Sequence, residues 1–182
     1  MFRFIFIIYF SFFIINANAK NKQNIIQNLK KIENFNFKFE QNINGKIENG
    51  KCTIEYPKKI FCKYAKSNSK ILVSNGKSLV IKTKSSYYRY PLNKTPLNFI
   101  LDKNFLINKI DTLEARIVDQ NLINFTILEN DNELNIFFDN KTFNLVGWQN
   151  TDVYQNFNVT FISSIKKNGV ISKNLFKLPS QN

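Results

Sequence analysis

The chain has 182 residues, with 26 Lys and Arg against 13 Asp and Glu, a net charge of +13, no histidine and only five glycines. Without histidine it lacks the side chain that most often serves as general base, triad member or zinc ligand, and five glycines do not assemble a Gly-rich phosphate cradle. Most hydrolase and metalloenzyme designs are thereby excluded, so no catalytic residue, metal site or cofactor is expected.

The chain opens MFRFIFIIYFSFFIINANA. Arg3 is a short basic start, an apolar run of about a dozen residues follows, and Ala17-Asn18-Ala19 has the small-x-small form of a cleavage site. Residues 1–19 therefore read as a cleaved signal peptide, and 20–182 as one mature domain. The apolar run falls short of the roughly 20 residues that span a bilayer. Lys20 rather than a cysteine follows the cut, so the expected product is a soluble periplasmic protein without a lipid anchor. Removing the leader leaves 25 basic residues against 13 acidic ones, a net +12. Such a charge raises the prospect of nucleic acid. Export, the scatter of the lysines and a composition typical of AT-rich coding weigh against it, so no nucleic-acid partner is expected. An anionic membrane surface stays open as a place for the charge to act.

Residues 20–34 carry Ile25, Ile26, Leu29 and Ile32 at the spacing of one helical stripe. The period then changes from 3.6 to 2. FNFKFEQ places Phe35, Phe37, Phe39 and Gln41 on one strand face, with Asn36, Lys38 and Glu40 on the other. Strands are expected at 35–42, 45–49, 51–56, 60–65, 70–74, 77–82 and 86–90, then at 112–119, 122–129, 133–138, 143–149 and 154–165. Asn75-Gly76 signals a tight hairpin, and 130–132 and 139–141 read as looser turns. Between the two series, Thr95 reads as an N-cap and Pro96 as the first residue of a short helix to about Asp102, with Leu97, Ile100 and Leu101 on one face. An antiparallel sheet of ten or more strands must curl, because right-handed twist accumulates. Its apolar face becomes the inside of a barrel or half-barrel, with the helices as plugs.

CTIEYPKKIFCKY reads as a hairpin in which Cys52, Ile54 and Tyr56 share the inner side with Ile60, Cys62 and Tyr64. A three-residue loop from Tyr56 to Lys58 puts Cys52 opposite Cys62. In an exported chain this favours a disulfide, with two buried free thiols as the alternative.

The order of these features resembles the LolA family of outer-membrane lipoprotein carriers over nearly all of 20–182. The resemblance rests on the leader, the amphipathic helix, the F-x-x-x-F-x-Q strand at Phe35, Phe39 and Gln41, and IEYPKKIFCKY. It continues through LVSNGKSLVIK, TPLNFIL, LVGWQNTD with Leu145, Trp148 and Asp152, and the closing LFKLP. It implies an α+β fold, an unclosed antiparallel half-barrel of about 11 strands whose concave apolar face is covered by helices acting as a lid. It implies a monomeric carrier without catalysis, which takes acylated lipoproteins from an inner-membrane ABC releasing complex and delivers them to an outer-membrane receptor or to the outer membrane itself. Phe35, Phe37, Phe39, Ile54, Tyr56, Ile60, Leu97, Ile100 and Leu101 are then the candidate lipid-binding residues. Tyr56 stands where many relatives have an arginine associated with holding the lid closed, and its hydroxyl is the candidate replacement, bonded to a lid carbonyl. The competing reading is a periplasmic protein-interaction module of the same fold, with a packed core and no lipid.

Overall fold

A computed structural model describes residues 19–65, 69–129, 132–151 and 156–181. Most of the expected leader, the Asn130-Asp131 turn, Asp152 and the start of the last expected strand lie outside the described residues. Residues 19–30 form helix α1, and its stripe of Ile25, Ile26 and Leu29 is buried together with Ile32. The chain then runs through β1 (Asn34–Ile43), β2 (Lys46–Glu55), β3 (Lys59–Tyr64), β4 (Ile71–Asn75), β5 (Ser78–Lys82) and β6 (Tyr87–Pro91). A 3-10 turn (Leu92–Lys94) and helices α2 (Leu97–Ile100) and α3 (Lys103–Thr112) follow. The chain returns to strand in β7 (Arg116–Val118), β8 (Leu122–Glu129), β9 (Asn132–Asp139), β10 (Leu145–Thr151) and β11 (Phe157–Lys167).

All eleven strands join one antiparallel sheet in the order β6-β5-β4-β3-β2-β1-β11-β10-β9-β8-β7. The first and last strands therefore pair at the centre, and the edges are β6 and β7, the two strands that flank the helical insertion. The sheet is not closed into a barrel. Accumulated twist curls it, and period-2 alternation sends its apolar residues to the concave side. The connection from one edge to the other crosses that side, since Ile100, Leu101, Leu106 and Ile110 of the insertion are buried in the same core as Phe37, Ile54 and Phe125. The result is an open α+β half-barrel with helices over its concave face.

Four local expectations need correcting. The strands expected at 45–49 and 51–56 are one, β2, because Gly50 continues the ladder opposite Phe39 and Tyr64. Thr95 does not cap a helix with its side chain: Pro96 holds the N-cap position of α2, and the Thr95 hydroxyl donates to the Leu92 carbonyl at 2.8 Å. The single short helix is instead a 3-10 turn and two helices, and α3 begins on a true cap, Asp102 accepting from the Phe105 amide at 3.1 Å. The strand expected from 112 shrinks to three residues at 116–118, since α3 runs to Thr112. Beyond β11 the tail runs along the outer side, from an Asn168 amide bond to the Asn34 carbonyl to a Ser180 carbonyl held by Lys82.

Candidate functional site

The inner wall is set by strand register. Phe35, Phe37 and Phe39 are buried side by side and lie opposite Ile54, Cys52 and Gly50 of β2. Gly50 is required there: a Cβ would stand 2.7 Å from the Phe39 ring and closer still to the Lys63 carbonyl, so the ring lies directly over bare backbone. Across β2 and β3, Cys52 pairs with Cys62 and Ile54 with Ile60, and the two cysteines form a disulfide. The bridge joins neighbouring strands on the inner face, where the hairpin parity put it.

Between this wall and the insertion lies a cavity of about 230 Å³. Its apolar lining comes from Phe37, Phe39, Ile60, Leu72, Leu79 and Trp148, closed from above by Pro96 and Leu97, with the disulfide in the wall. Of the candidate residues, Phe37, Phe39, Ile60 and Leu97 line this space. Phe35 and Tyr56 instead border a much smaller gap beside Leu29, Ile32 and Leu145. Ile54, Ile100 and Leu101 are fully buried in packed core and reach neither space. Leu72, Leu79 and Trp148 were not among the candidates. They sit at inward positions of strands that were expected, and their convergence with Phe37 from two to four strands away is a property of the curled sheet.

The insertion is fixed to the wall at one corner. The Lys58 amide, in the β2–β3 turn, donates to the Leu101 carbonyl at 2.7 Å, and Lys58 Nζ pairs with Asp102 at 3.3 Å. Lys103 Nζ donates to the Ile32 carbonyl at 2.8 Å, tying α3 to the end of the α1 segment. The Tyr56 hydroxyl takes no part: it is buried and has no hydrogen-bond partner, so the expectation that it holds a lid carbonyl is corrected. Lys58, two residues on, occupies that role because the turn aims its amide and its ammonium at the same helix junction. Burial alone pushes the Tyr56 phenol far above its ordinary range.

One stretch of the concave wall is polar. Gln41, Thr160, Asn158 and Asn150 line the same cavity from β1, β11 and β10. Gln41 faces Thr160 and Ile43 faces Asn158 across one strand gap, while Thr160 faces Trp148 and Asn158 faces Asn150 across the next. Beside them Tyr64 donates to the Gln41 amide oxygen at 3.3 Å, and Lys70 is ion-paired to the buried Glu48 carboxylate. Burial first, and the Glu48 charge second, push the Tyr64 phenol upward. Among the described residues no three His, Cys, Asp or Glu side chains converge on a point that could hold a metal. No helix of the described residues is long and apolar enough to cross a membrane.

An open half-barrel with an apolar space between sheet and helices fits a superfamily of lipid- or lipoprotein-binding and periplasmic carrier proteins. The chain belongs to the family described as outer membrane lipoprotein carrier protein LolA, whose profile matches residues 30–179. Two solved structures agree on the fold. An uncharacterized conserved protein from Thermus thermophilus superposes with a TM-score of 0.53 at 6% identity, over 90% of this chain and 95% of that one. MucB superposes with a TM-score of 0.51 at 6% identity, over 90% of this chain and 63% of MucB. A LolA superfamily protein from Nitrosomonas europaea is also similar, with a TM-score of 0.43 at 9% identity, over 85% of this chain and 97% of that one. Among curated proteins no sequence matches.

Proposed function

We propose that the protein is a periplasmic carrier, which shelters acyl chains of lipoproteins leaving the inner membrane and gives them up at the outer membrane, without catalysis of its own. The reading places it in the periplasm as a monomer after removal of residues 1–19. Its partners are acylated lipoproteins, an ABC releasing complex at the inner membrane, and a receptor or the lipid surface at the outer membrane. The observation that carries it is the cavity of about 230 Å³ between the concave wall and the helical insertion. A domain built only to fold would fill such a space with side chains, because interiors pack to crystal-like density.

Size and energy agree with partial shelter. The space lies below the roughly 300–1,000 Å³ typical of pockets that enclose a drug-sized ligand. It takes part of one chain as it stands, and a lipoprotein with several chains requires the insertion to move. Each buried methylene contributes about 0.8 kcal/mol, so complete burial of two or three chains of about sixteen carbons would reach tens of kcal/mol and forbid release. A helical cover that competes for the same wall keeps the exchange reversible. Leu97 is the direct competitor, since it lines the cavity from the insertion side. The experiment is uptake of a fluorescent acyl probe by the folded protein, together with release of an acylated lipoprotein from membranes. Binding of neither, with the fold intact, would sink the reading. The second reading, a protein-interaction module, draws on the fully buried half of the interior around Phe125 and Phe138. It predicts a co-purifying protein partner and no lipid uptake.

A further inference from the structure

The polar stretch of the cavity wall has no use in holding hydrocarbon, and polar groups facing an apolar space cost free energy unless they are hydrogen-bonded. Asn150 is 7% exposed, faces the cavity, and its side chain makes no hydrogen bond among the described residues. Asn158, directly across from it, is half committed. Its Oδ1 accepts from Gln41 Nε2 at 3.0 Å and lies 3.5 Å from the Thr160 hydroxyl, while its amide nitrogen donates to nothing among the described residues. Gln41 is used at both ends, donating to Asn158 and to Thr160 at 3.2 Å and accepting from Tyr64. An amide group carries two N–H donors on nitrogen. Asn158 and Asn150 therefore offer two N–H donors each against one uncommitted amide oxygen, that of Asn150, which leaves a surplus of neutral donors in the lining that Phe37 and Leu79 complete with hydrocarbon.

A surplus of neutral donors calls for a neutral acceptor. A carboxylate would want a cation, and of the two ammonium groups in the lining Lys70 is already neutralised by Glu48, while Lys94 belongs to the helical insertion and not to the wall formed by β1, β10 and β11. We infer that Asn150 and Asn158 form a recognition site for the carbonyl oxygens of an ester- or amide-linked acyl group. The ligand would bind with its linkage at this end and its chain running toward Leu72 and Leu79. The inference rests on the carrier reading and adds to it the two side chains that read the acyl linkage and the polarity with which a chain lies in the cavity.

The test displaces a fluorescent acyl probe with three competitors of equal chain length: a 1-monoacylglycerol, the corresponding glyceryl 1-ether, and the free fatty acid. Ester and ether differ only in the carbonyl. The ester is expected to bind about three- to tenfold more tightly than the ether, the range one net hydrogen bond supplies. Asn150→Leu and Asn158→Leu should each pull that ratio toward one while ether binding holds. Asn158 is only half buried, so its variant carries the test if Asn150→Leu disturbs folding. Equal binding of ester and ether, preference for the fatty acid, or a ratio that survives both substitutions overturns the inference and leaves the carrier reading standing. Failure to bind the probe at all removes the carrier reading and this inference with it.

Discussion

The two sides of the sheet's centre are built from the same material and finished differently. On the β8–β10 side, Ile123, Phe125, Ile136 and Phe138 are 0–1% exposed, and the rings of Phe125 and Phe138 meet edge to face at 6.0 Å. On the β1–β5 side, Phe37, Phe39, Leu72 and Leu79 point inward with the same parity, yet they border open space. α1 and α3 are tied to the first side, Asn28 donating to the Phe143 carbonyl before β10 and Lys109 pairing with Glu129 of β8, while among the described residues Lys94 to Leu97 of the insertion border the space on the second. Burial fraction does not distinguish the two, since nearly all of these residues are inaccessible to solvent. What differs is whether an atom stands opposite, and the dispersion contacts of a cavity-facing ring are forfeited where nothing does.

Removing a ring from the filled side gives the largest expected effect. Phe138→Ala should cost about 3–5 kcal/mol by urea unfolding. Leu72→Ala, on the hollow side, should fall at the low end of its class, about 2 kcal/mol, because part of its surroundings is already empty. Comparable losses scaled to the atoms removed would erase the distinction. Next comes the bridge in the hollow wall. Cys52 and Cys62 are ten residues apart, so closing that loop is worth about 3 kcal/mol in the chain-entropy account. The double Cys→Ala variant should show that loss at neutral pH, and reductant should add two mass units to the wild type alone.

Smaller effects concern the corner where the insertion is tied down. Asp102→Ala removes the α3 cap and the Lys58 pair, both partly exposed, for about 1–2 kcal/mol together. If the insertion competes with ligand, acyl-probe affinity should rise in this variant even as the melting temperature drops; a fall in both would show that the insertion supports binding instead. Tyr56→Phe should be near neutral or slightly stabilising at pH 7, since it deletes a buried hydroxyl that has no partner. Its signature is in alkali. The folded phenol titrates above its unfolded value of 10.0, so the stability it contributes is complete below that value and is lost as the pH rises past it. The Phe variant lacks this loss, and its unfolding midpoint should fall less steeply above about pH 10.

Much of the fold could be read from the chain because alternation is local. FNFKFEQ assigns each ring a face without any knowledge of the rest, and the short loop at 56–58 fixed the parity of both cysteines. α3 escaped because only Leu106 and Ile110 of its ten residues are buried, too short a stripe to stand out against Asn and Lys. The cavity was legible in part. Phe37 and Phe39 follow from parity, but Ile100 and Leu101 turn into packed core because the direction of a four-residue helix depends on where its ends are held. Asn150 escaped for a different reason. It lay beyond the strand expected at 143–149, and a register shift between Leu145 and Gly147 changes the inward parity, so that the alternate pair Trp148 and Asn150 joins Leu145 on the inner side. No alternation within β10 announces that shift.

The insertion leaves the sheet at β6 and rejoins it at β7, the two unpaired edges. A cover held at both ends never diffuses away when displaced; it waits at a local concentration set by its own tethers, on the millimolar scale for short connections. On the carrier reading, an acyl chain in the cavity faces a rival whose concentration does not change with that of the protein or of the cargo. On that reading the affinity a cargo experiences depends on the lengths of chain at 92–96 and 113–115 as much as on the wall it touches. Lengthening either segment should change how readily cargo is held without altering a single contact in the cavity.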